Sequence, residues 1–274
     1  MSNPVLNDKA FQRGGSGWAA PDPGTRWHDP VDDGPVSPYR SANRSNDDRM
    51  TLGGTITATG VLFVLFLACA TVGWFLAEPN GASREVVAPP TWVLLVGVGA
   101  MLSVWLLWFK PALARIIGPI YAIGMGLLVG GISHTYESLY DGVVLQAVGA
   151  TVGVFAVMLA LYRTRLLRVT DRFRRIVIGA TLGLAAFYLV SWIVSLFAGP
   201  PSYFRLGSGL GIGISLVAAV LAALNLALDF DVIERGVRSG APRHFEWFAA
   251  TGLLVTIVWL YLELLRLLAH LRER

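Results

Sequence analysis

The chain has little charge and almost no cysteine. Of its 274 residues, 15% are charged and 54% are apolar, and the mean hydropathy is +0.58. A composition this apolar excludes an ordinary soluble domain and favours a protein that lies in a lipid bilayer. The single cysteine, Cys69, excludes an intramolecular disulfide and a cysteine-based metal cluster.

Signatures of enzymes are also missing. The sequence has no His-Glu-x-x-His motif and no Gly-x-Ser-x-Gly motif. The glycines between Gly207 and Gly213 lie inside an apolar stretch without a preceding strand, so they do not predict a dinucleotide site. We therefore expect neither catalysis nor a cofactor. The net charge of +4 comes from arginines beside apolar runs, which indicates membrane topology rather than a nucleic-acid partner.

Long runs without charge are what the sequence does contain. A helix needs about 20 such residues to cross a bilayer. Seven candidate runs are present, at 50–77, 86–109, 116–133, 142–162, 176–204, 206–228 and 247–262, the last continuing past charges towards Leu268. These runs are apolar on all faces, whereas helices of a soluble bundle keep a polar stripe. The sequence predicts an all-α, polytopic membrane protein with seven transmembrane helices in residues 50–274.

Residues 1–49 have a different composition. They hold six prolines, five glycines and few aliphatic side chains, too few to form a core. We expect a disordered polar tail. Because no cleavable signal peptide is recognisable, we expect the first span to direct insertion and the tail to stay in the cytoplasm.

The distribution of basic residues predicts the orientation in the cell membrane. Alternate loops on the side of the tail carry fourteen Arg and Lys residues, six of them between Arg163 and Arg175, whereas the opposite loops carry Arg84 and Arg205. The positive-inside rule therefore predicts a cytoplasmic N-terminus. Seven crossings leave Arg272 and Arg274 outside, and a re-entrant last segment would return them inside. The sequence leaves both arrangements open.

Ionisable residues near the spans are the candidates for chemistry, because they are costly at membrane depth. Asp229 and Asp231 end the sixth span, and their i, i+2 spacing gives them different surroundings on a helix. Each is a candidate for sensing protons or cations, and the alternative is a solvated acid at the interface.

Two further pairs have the i, i+3 spacing that brings side chains together on a helix. Glu263 and Arg266 in the last span are predicted to form an internally compensated ion pair. His134 and Glu137 lie at the predicted outer end of the third span. They are candidates for a weak cation site at the outer mouth, and ordinary interface polarity is the alternative.

Several ordered motifs resemble the Bax inhibitor-1 family, and its bacterial branch most closely. They are LDFDVIE at 228–234, GAPRHFEW at 240–247 and WLYLELLRLL at 259–268, with support from GGISHTYE at 130–137, VLQA at 144–147 and RVTDRFRR at 168–175. The similarity extends over about residues 52–271. It implies seven helices with the last surrounded by the other six. In some members it also implies a calcium leak that is gated by two membrane aspartates sharing a proton.

The resemblance places the aspartate of the sixth helix on Asp231, with Asp229 as the fallback. For the seventh helix, one alignment selects Glu263 and another selects Thr256. Glu263 lies sixteen residues beyond Trp247, about 24 Å deeper than the loop near Asp231, so straight helices cannot bring the two acids together. We therefore favour Thr256, in which case the paired aspartates of the family are absent here.

The sequence is compatible with two functions. One is a pH-sensitive pathway for calcium or protons through the helix bundle. The other is a non-conducting regulator of stress responses or membrane quality control that binds another membrane protein through the tail or the 163–175 loop.

Overall fold

The computed structural model describes residues 49–79, 87–199 and 207–273. Seven long helices run through this part of the chain, and each is long and apolar enough to cross a membrane. They are α1 (Leu52–Leu76), α2 (Thr91–Phe109), α3 (Ala114–Leu139), α4 (Val143–Arg163), α5 (Asp171–Ala198), α6 (Gly209–Arg238) and α7 (His244–Arg272). The prediction of an all-α polytopic membrane protein is confirmed. The predicted tail lies outside the described residues, apart from Arg49.

Between the helices, the described residues contain little other regular structure. Strands β1 (Glu78–Pro79) and β2 (Val87–Ala88) pair in antiparallel fashion between α1 and α2, and a 3₁₀ turn (Pro111–Leu113) precedes α3. Hydroxyl side chains begin three of the helices: Thr51, Thr170 and Ser208 each accept a hydrogen bond from the backbone N–H three residues later. Such caps satisfy donors that the first turn of a helix leaves free.

Helix α7 is the centre of the bundle. In its apolar stretch 56% of the residues are buried, against 50% for α3 and 11% for α5. It packs against α1, α3, α4 and α6, while α2 lies on α3 and α5 lies on α6. It supplies Leu254 and Val258 to a core shared with α1 and α3, and Leu253 and Leu260 to a core shared with α4 and α6. Helix α7 therefore joins one group of helices, α1 to α3, to a second group, α4 to α6.

Glycines on α3 allow the closest helix contact, that between α3 and α1. A Cβ atom at Gly130 would overlap the carbonyl oxygen of Ala70, and one at Gly126 would lie 2.6 Å from the carbonyl oxygen of Phe66. Small residues let membrane helices approach in this way. Close helix packing does not explain every glycine between 207 and 213, because a Cβ atom at Gly213 would meet no atom within 4 Å.

The two ends of the bundle are tied by different segments. At the end where α1 begins, Met50 N donates a 2.7 Å hydrogen bond to Ala241 O in the α6–α7 turn. At the opposite end, Arg272 Nη1 donates a 2.5 Å bond to Asp141 O in the α3–α4 turn. α7 runs as one continuous helix between these ends, without the break that a re-entrant last segment would need.

Candidate ion site

Two aspartates lie two residues apart near the end of α6, and they have different surroundings. Arg174 Nη2 on α5 lies 2.7 Å from Asp231 Oδ2, and Arg235, one turn further along α6, contacts the same oxygen. The Asp231 side chain is 16% exposed. Two guanidinium groups therefore compensate its charge, as expected for a carboxylate close to the bundle surface.

Asp229 faces the interior instead. Its Oδ2 atom is buried and accepts no hydrogen bond within the described part of the chain. The Thr256 hydroxyl on α7 lies beside the carboxyl group and donates a 3.2 Å hydrogen bond to Gly252 O. Leaving a buried carboxyl oxygen without a partner is costly, so such a group requires an explanation.

The contact between Asp229 and Thr256 bears on the two alignments. Thr256 is the α7 residue that the favoured alignment matched to the second aspartate, and it meets Asp229 rather than Asp231. Glu263 is seven residues further along α7, and it contacts Tyr188 on α5 and Trp259 and Arg266 on α7. The geometry therefore places a carboxyl group opposite a hydroxyl group at this position.

Glu263 is buried in the second half of α7, where its side chain is 5% exposed. Its Oε1 accepts hydrogen bonds from Tyr188 Oη at 3.1 Å and from Trp259 Nε1 at 3.3 Å. Arg266 Nη1 lies 3.7 Å from Oε2 and 3.4 Å from the Tyr188 hydroxyl. The pair foreseen from the sequence thus lies at ion-pair distance and includes Tyr188 on α5, which the spacing within one helix could not indicate.

His134 and Glu137 do not face each other in a shared site. The His134 ring stacks on Trp74 with centroids 4.6 Å apart, and its Nδ1 lies 2.9 Å from Trp74 O. Glu137 accepts hydrogen bonds from Gly142 N at 2.6 Å and Val144 N at 3.0 Å. Each side chain therefore has a structural partner, and Glu137 caps the start of α4.

A tyrosine and a glutamate join α7 to the α3–α4 turn at the same end of the bundle. The Tyr140 hydroxyl donates a hydrogen bond to Glu273. Burial, together with the adjacent Glu273 carboxylate, raises the pKa of Tyr140 to about 12. Tyr140 consequently stays protonated and keeps donating near neutral pH.

Sequence reasoning missed two buried ionisable residues of α7, Glu246 and His270. Glu246 could have been found as an acid in the first turn of a helix, where carboxylates are favourable. His270 lies seven residues after Glu263, a spacing that places both on one helical face. Within the described ranges, no group of three or more His, Cys, Asp and Glu side chains could hold a metal ion.

The fold and the positions of these groups define a multi-pass membrane protein with ionisable side chains inside its helix bundle. The family model described as Bax inhibitor 1 like matches residues 3–273. The chain therefore belongs to the Bax inhibitor 1 like family. No curated protein matches its sequence.

Proposed function

We propose that this protein is a non-enzymatic, passive pathway for a cation, calcium or a proton, across the cell membrane, with Asp229 as the titrating group. The observation that carries the proposal is the buried Asp229 Oδ2 without a hydrogen-bond partner in the described residues, opposite Thr256 on the central helix. Ionisable groups inside a membrane bundle are rare, and they mark ion paths or proton relays. The family resemblance supports the same function.

The contacts favour Asp229 over Asp231, which reverses the order suggested by the sequence. Asp231 forms ion pairs with Arg174 and Arg235. Protonating Asp231 would leave both guanidinium groups without their carboxylate partner, which disfavours its titration. Among the other titratable groups on helices packed against α6, Tyr162 on α4 donates to Glu234 and Glu246 on α7 accepts from Thr51. Thr256 is the polar group that faces Asp229 across the α6–α7 contact.

The proposed orientation puts the end of the bundle that holds Met50 in the cytoplasm. Fourteen basic residues in the loops on that side, against two on the other, support this orientation. Asp229 is nine residues before the end of α6, which at 1.5 Å per residue is about 13.5 Å inside the cytoplasmic end of that helix.

Flux into vesicles that contain only the purified protein tests the proposal. Calcium and proton entry are followed with internal dyes over a range of pH. Wild-type protein should pass at least one of the two ions with a pH-dependent rate, and Asp229→Asn should remove that dependence. Asp231→Asn is the matched control and should retain it, because Asp231 is compensated at the surface.

Two results would overturn the proposal. Wild-type flux of both ions at the level of protein-free vesicles would leave the non-conducting regulator as the better function. Identical pH profiles for wild type and Asp229→Asn would exclude Asp229 as the titrating group.

A further inference from the structure

Three polar side chains recur at intervals of seven residues along α7: Thr256, Glu263 and His270. Seven residues fall only about 20° short of two full turns, so the three lie on nearly the same stripe of the helix. Each step rises about 10.5 Å. All three side chains are buried, with 8%, 4% and 2% of the residue exposed. A polar stripe therefore runs through the second half of the most buried helix.

The buried polar atoms that lack a hydrogen bond lie along this stripe. Within the described residues they are Asp229 Oδ2, which faces the stripe from α6, Glu263 Oε2 and His270 Nδ1. Glu246 shows the contrast, because it is equally buried on α7 but accepts two hydrogen bonds from Thr51. Native proteins satisfy nearly all buried polar atoms unless the group has another role. Two of these atoms lie on the stripe and the third is on α6, and Glu263 Oε2 has the Arg266 guanidinium 3.7 Å away as its ion-pair partner.

The spacing decides which ion the stripe suits. Calcium needs six to eight oxygen ligands within about 2.6 Å, and groups separated by about 10.5 Å cannot share one ion. Arg266 lies beside Glu263 and repels a divalent cation. A proton, by contrast, passes between carboxyl and imidazole groups through hydroxyls and bridging water. The spacing is therefore too wide for one calcium ion to bridge two of these groups, and proton transfer over the same distances needs bridging water between them.

The groups around the stripe come from four helices, α3, α5, α6 and α7 itself. Glu263 faces Tyr188 from α5, and Trp259 and Arg266 from α7 itself. Arg266 in turn lies near Tyr136 on α3 and near His270. Asp229 faces Thr256, whereas the nearby Arg174 and Tyr162 are engaged by Asp231 and Glu234. No carboxylate other than Glu263 is among these neighbours of the stripe's second half.

We propose that this stripe of α7 is a proton relay that runs from Asp229 past Thr256 to Glu263 and His270. The proposal rests on the proposed function and deepens it by naming the proton as the ion. Asp229 takes up a proton from the cytoplasmic side and passes it through the Thr256 hydroxyl and bridging water to the Glu263 carboxylate, and Glu263 passes it through further bridging water to His270 Nδ1. From there it leaves at the end of the bundle that holds Asp141 and Arg272. Each group returns to its starting state after one passage.

Proton flux through purified variants tests the relay. Vesicles contain a pH dye, and a potassium ionophore compensates the charge that protons carry. Glu263→Gln and His270→Asn should both lower proton flux to the level of protein-free vesicles. The matched controls are Glu246→Gln, a buried glutamate of α7 bound to Thr51, and His244→Asn, a histidine at the start of α7. Both controls should keep the wild-type flux.

The folded state of each variant is checked by its thermal transition in detergent. If Glu263→Gln loses that transition, two alternatives replace it. Glu263→Asp keeps a carboxyl group and should conduct, whereas the double variant Glu263→Gln, Arg266→Met has no unpaired charge at this site and should not conduct.

The outcomes separate the relay from the function on which it rests. Wild-type flux of calcium without protons, sensitive to Asp229→Asn, would overturn the relay and leave the proposed function intact. Undiminished proton flux in folded Glu263→Gln and His270→Asn would do the same. Absence of any flux in the wild type would overturn both.

Discussion

Glu246, in the first turn of α7, accepts two hydrogen bonds from Thr51, one from the backbone N and one from Oγ1, each 2.9 Å long. Thr51 is also the residue that caps α1. One buried carboxylate therefore joins the beginnings of the first and the last helix. Bonds to a charged acceptor in a buried site are stronger than those between neutral groups.

This contact predicts unequal effects at two adjacent glycines. A Cβ atom at Gly54 would overlap the Glu246 carboxylate, whereas one at Gly53 would meet nothing within 4 Å. Gly54→Ala should displace the carboxylate from Thr51 and lower the free energy of unfolding by about 1–3 kcal/mol. Gly53→Ala, the control, should be neutral or slightly stabilising. Thermal unfolding in detergent measures both, and equal stability of the two variants would contradict the role of Glu246.

The contact between α1 and α3 predicts a second difference between glycines. At Gly130 a Cβ atom would overlap the Ala70 carbonyl, which is backbone and cannot turn aside, so the helices must move apart. Gly130→Ala should cost roughly 1–3 kcal/mol through overpacking. Gly149→Ala on α4 is the control, because its Cβ would face open space. A stable Gly130→Ala variant would mean that α1 and α3 are less closely packed than described.

The Glu263–Arg266 pair should show measurable coupling. Arg266→Met leaves the buried Glu263 carboxylate without its cation, so the double variant with Glu263→Gln should be more stable than the two single losses predict. Because Arg266 is 38% exposed, the coupling should be only about 0.5–1 kcal/mol.

The exposed pair of Glu234 and Arg238 provides the comparison for this cycle, and its coupling should be near zero. Thermal shifts of Glu234→Gln, Arg238→Met and their combination measure it. Strictly additive losses at Glu263 and Arg266 would show that Tyr188 and Trp259, rather than Arg266, compensate the carboxylate.

The sidedness of the bundle can be measured because the chain has a single cysteine. In a Cys69→Ser background, Asp141→Cys should react in intact cells with a maleimide that cannot cross membranes, whereas Ser239→Cys should react only after lysis. The reason is that α7 connects the two turns from opposite ends. The reverse labelling pattern would invert the orientation that the arginines predict.

The seven spans could be predicted because hydrocarbon contact selects long apolar runs. The residues at which the helices begin and end could not be predicted in this way. The run predicted at 116–133 belongs to a helix that extends from Ala114 to Leu139, and the run at 206–228 belongs to one that reaches Arg238. Helices continue beyond the hydrocarbon until a cap or a left-handed residue stops them, and Gly199, with φ of +77°, ends α5 in this way.

The candidate site shows a similar division. Spacing along one helix gives the Glu263–Arg266 pair and the different surroundings of Asp229 and Asp231. The partners on other helices, Thr256 for Asp229 and Tyr188 for Glu263, depend on how far each helix is rotated and shifted against its neighbour. A single sequence contains no direct measure of either quantity, so the contacts between helices emerge only from the fold.

The position of α7 has a consequence for biosynthesis. α7 follows the other six helices along the chain, yet both core clusters include its side chains. During translation at about 5–20 residues per second, the first six helices leave the ribosome before α7, against which four of them pack. Their inner faces must therefore be covered by lipid or by one another until α7 arrives. A chain that stops before residue 244 would therefore have six helices without the α7 side chains that both core clusters contain.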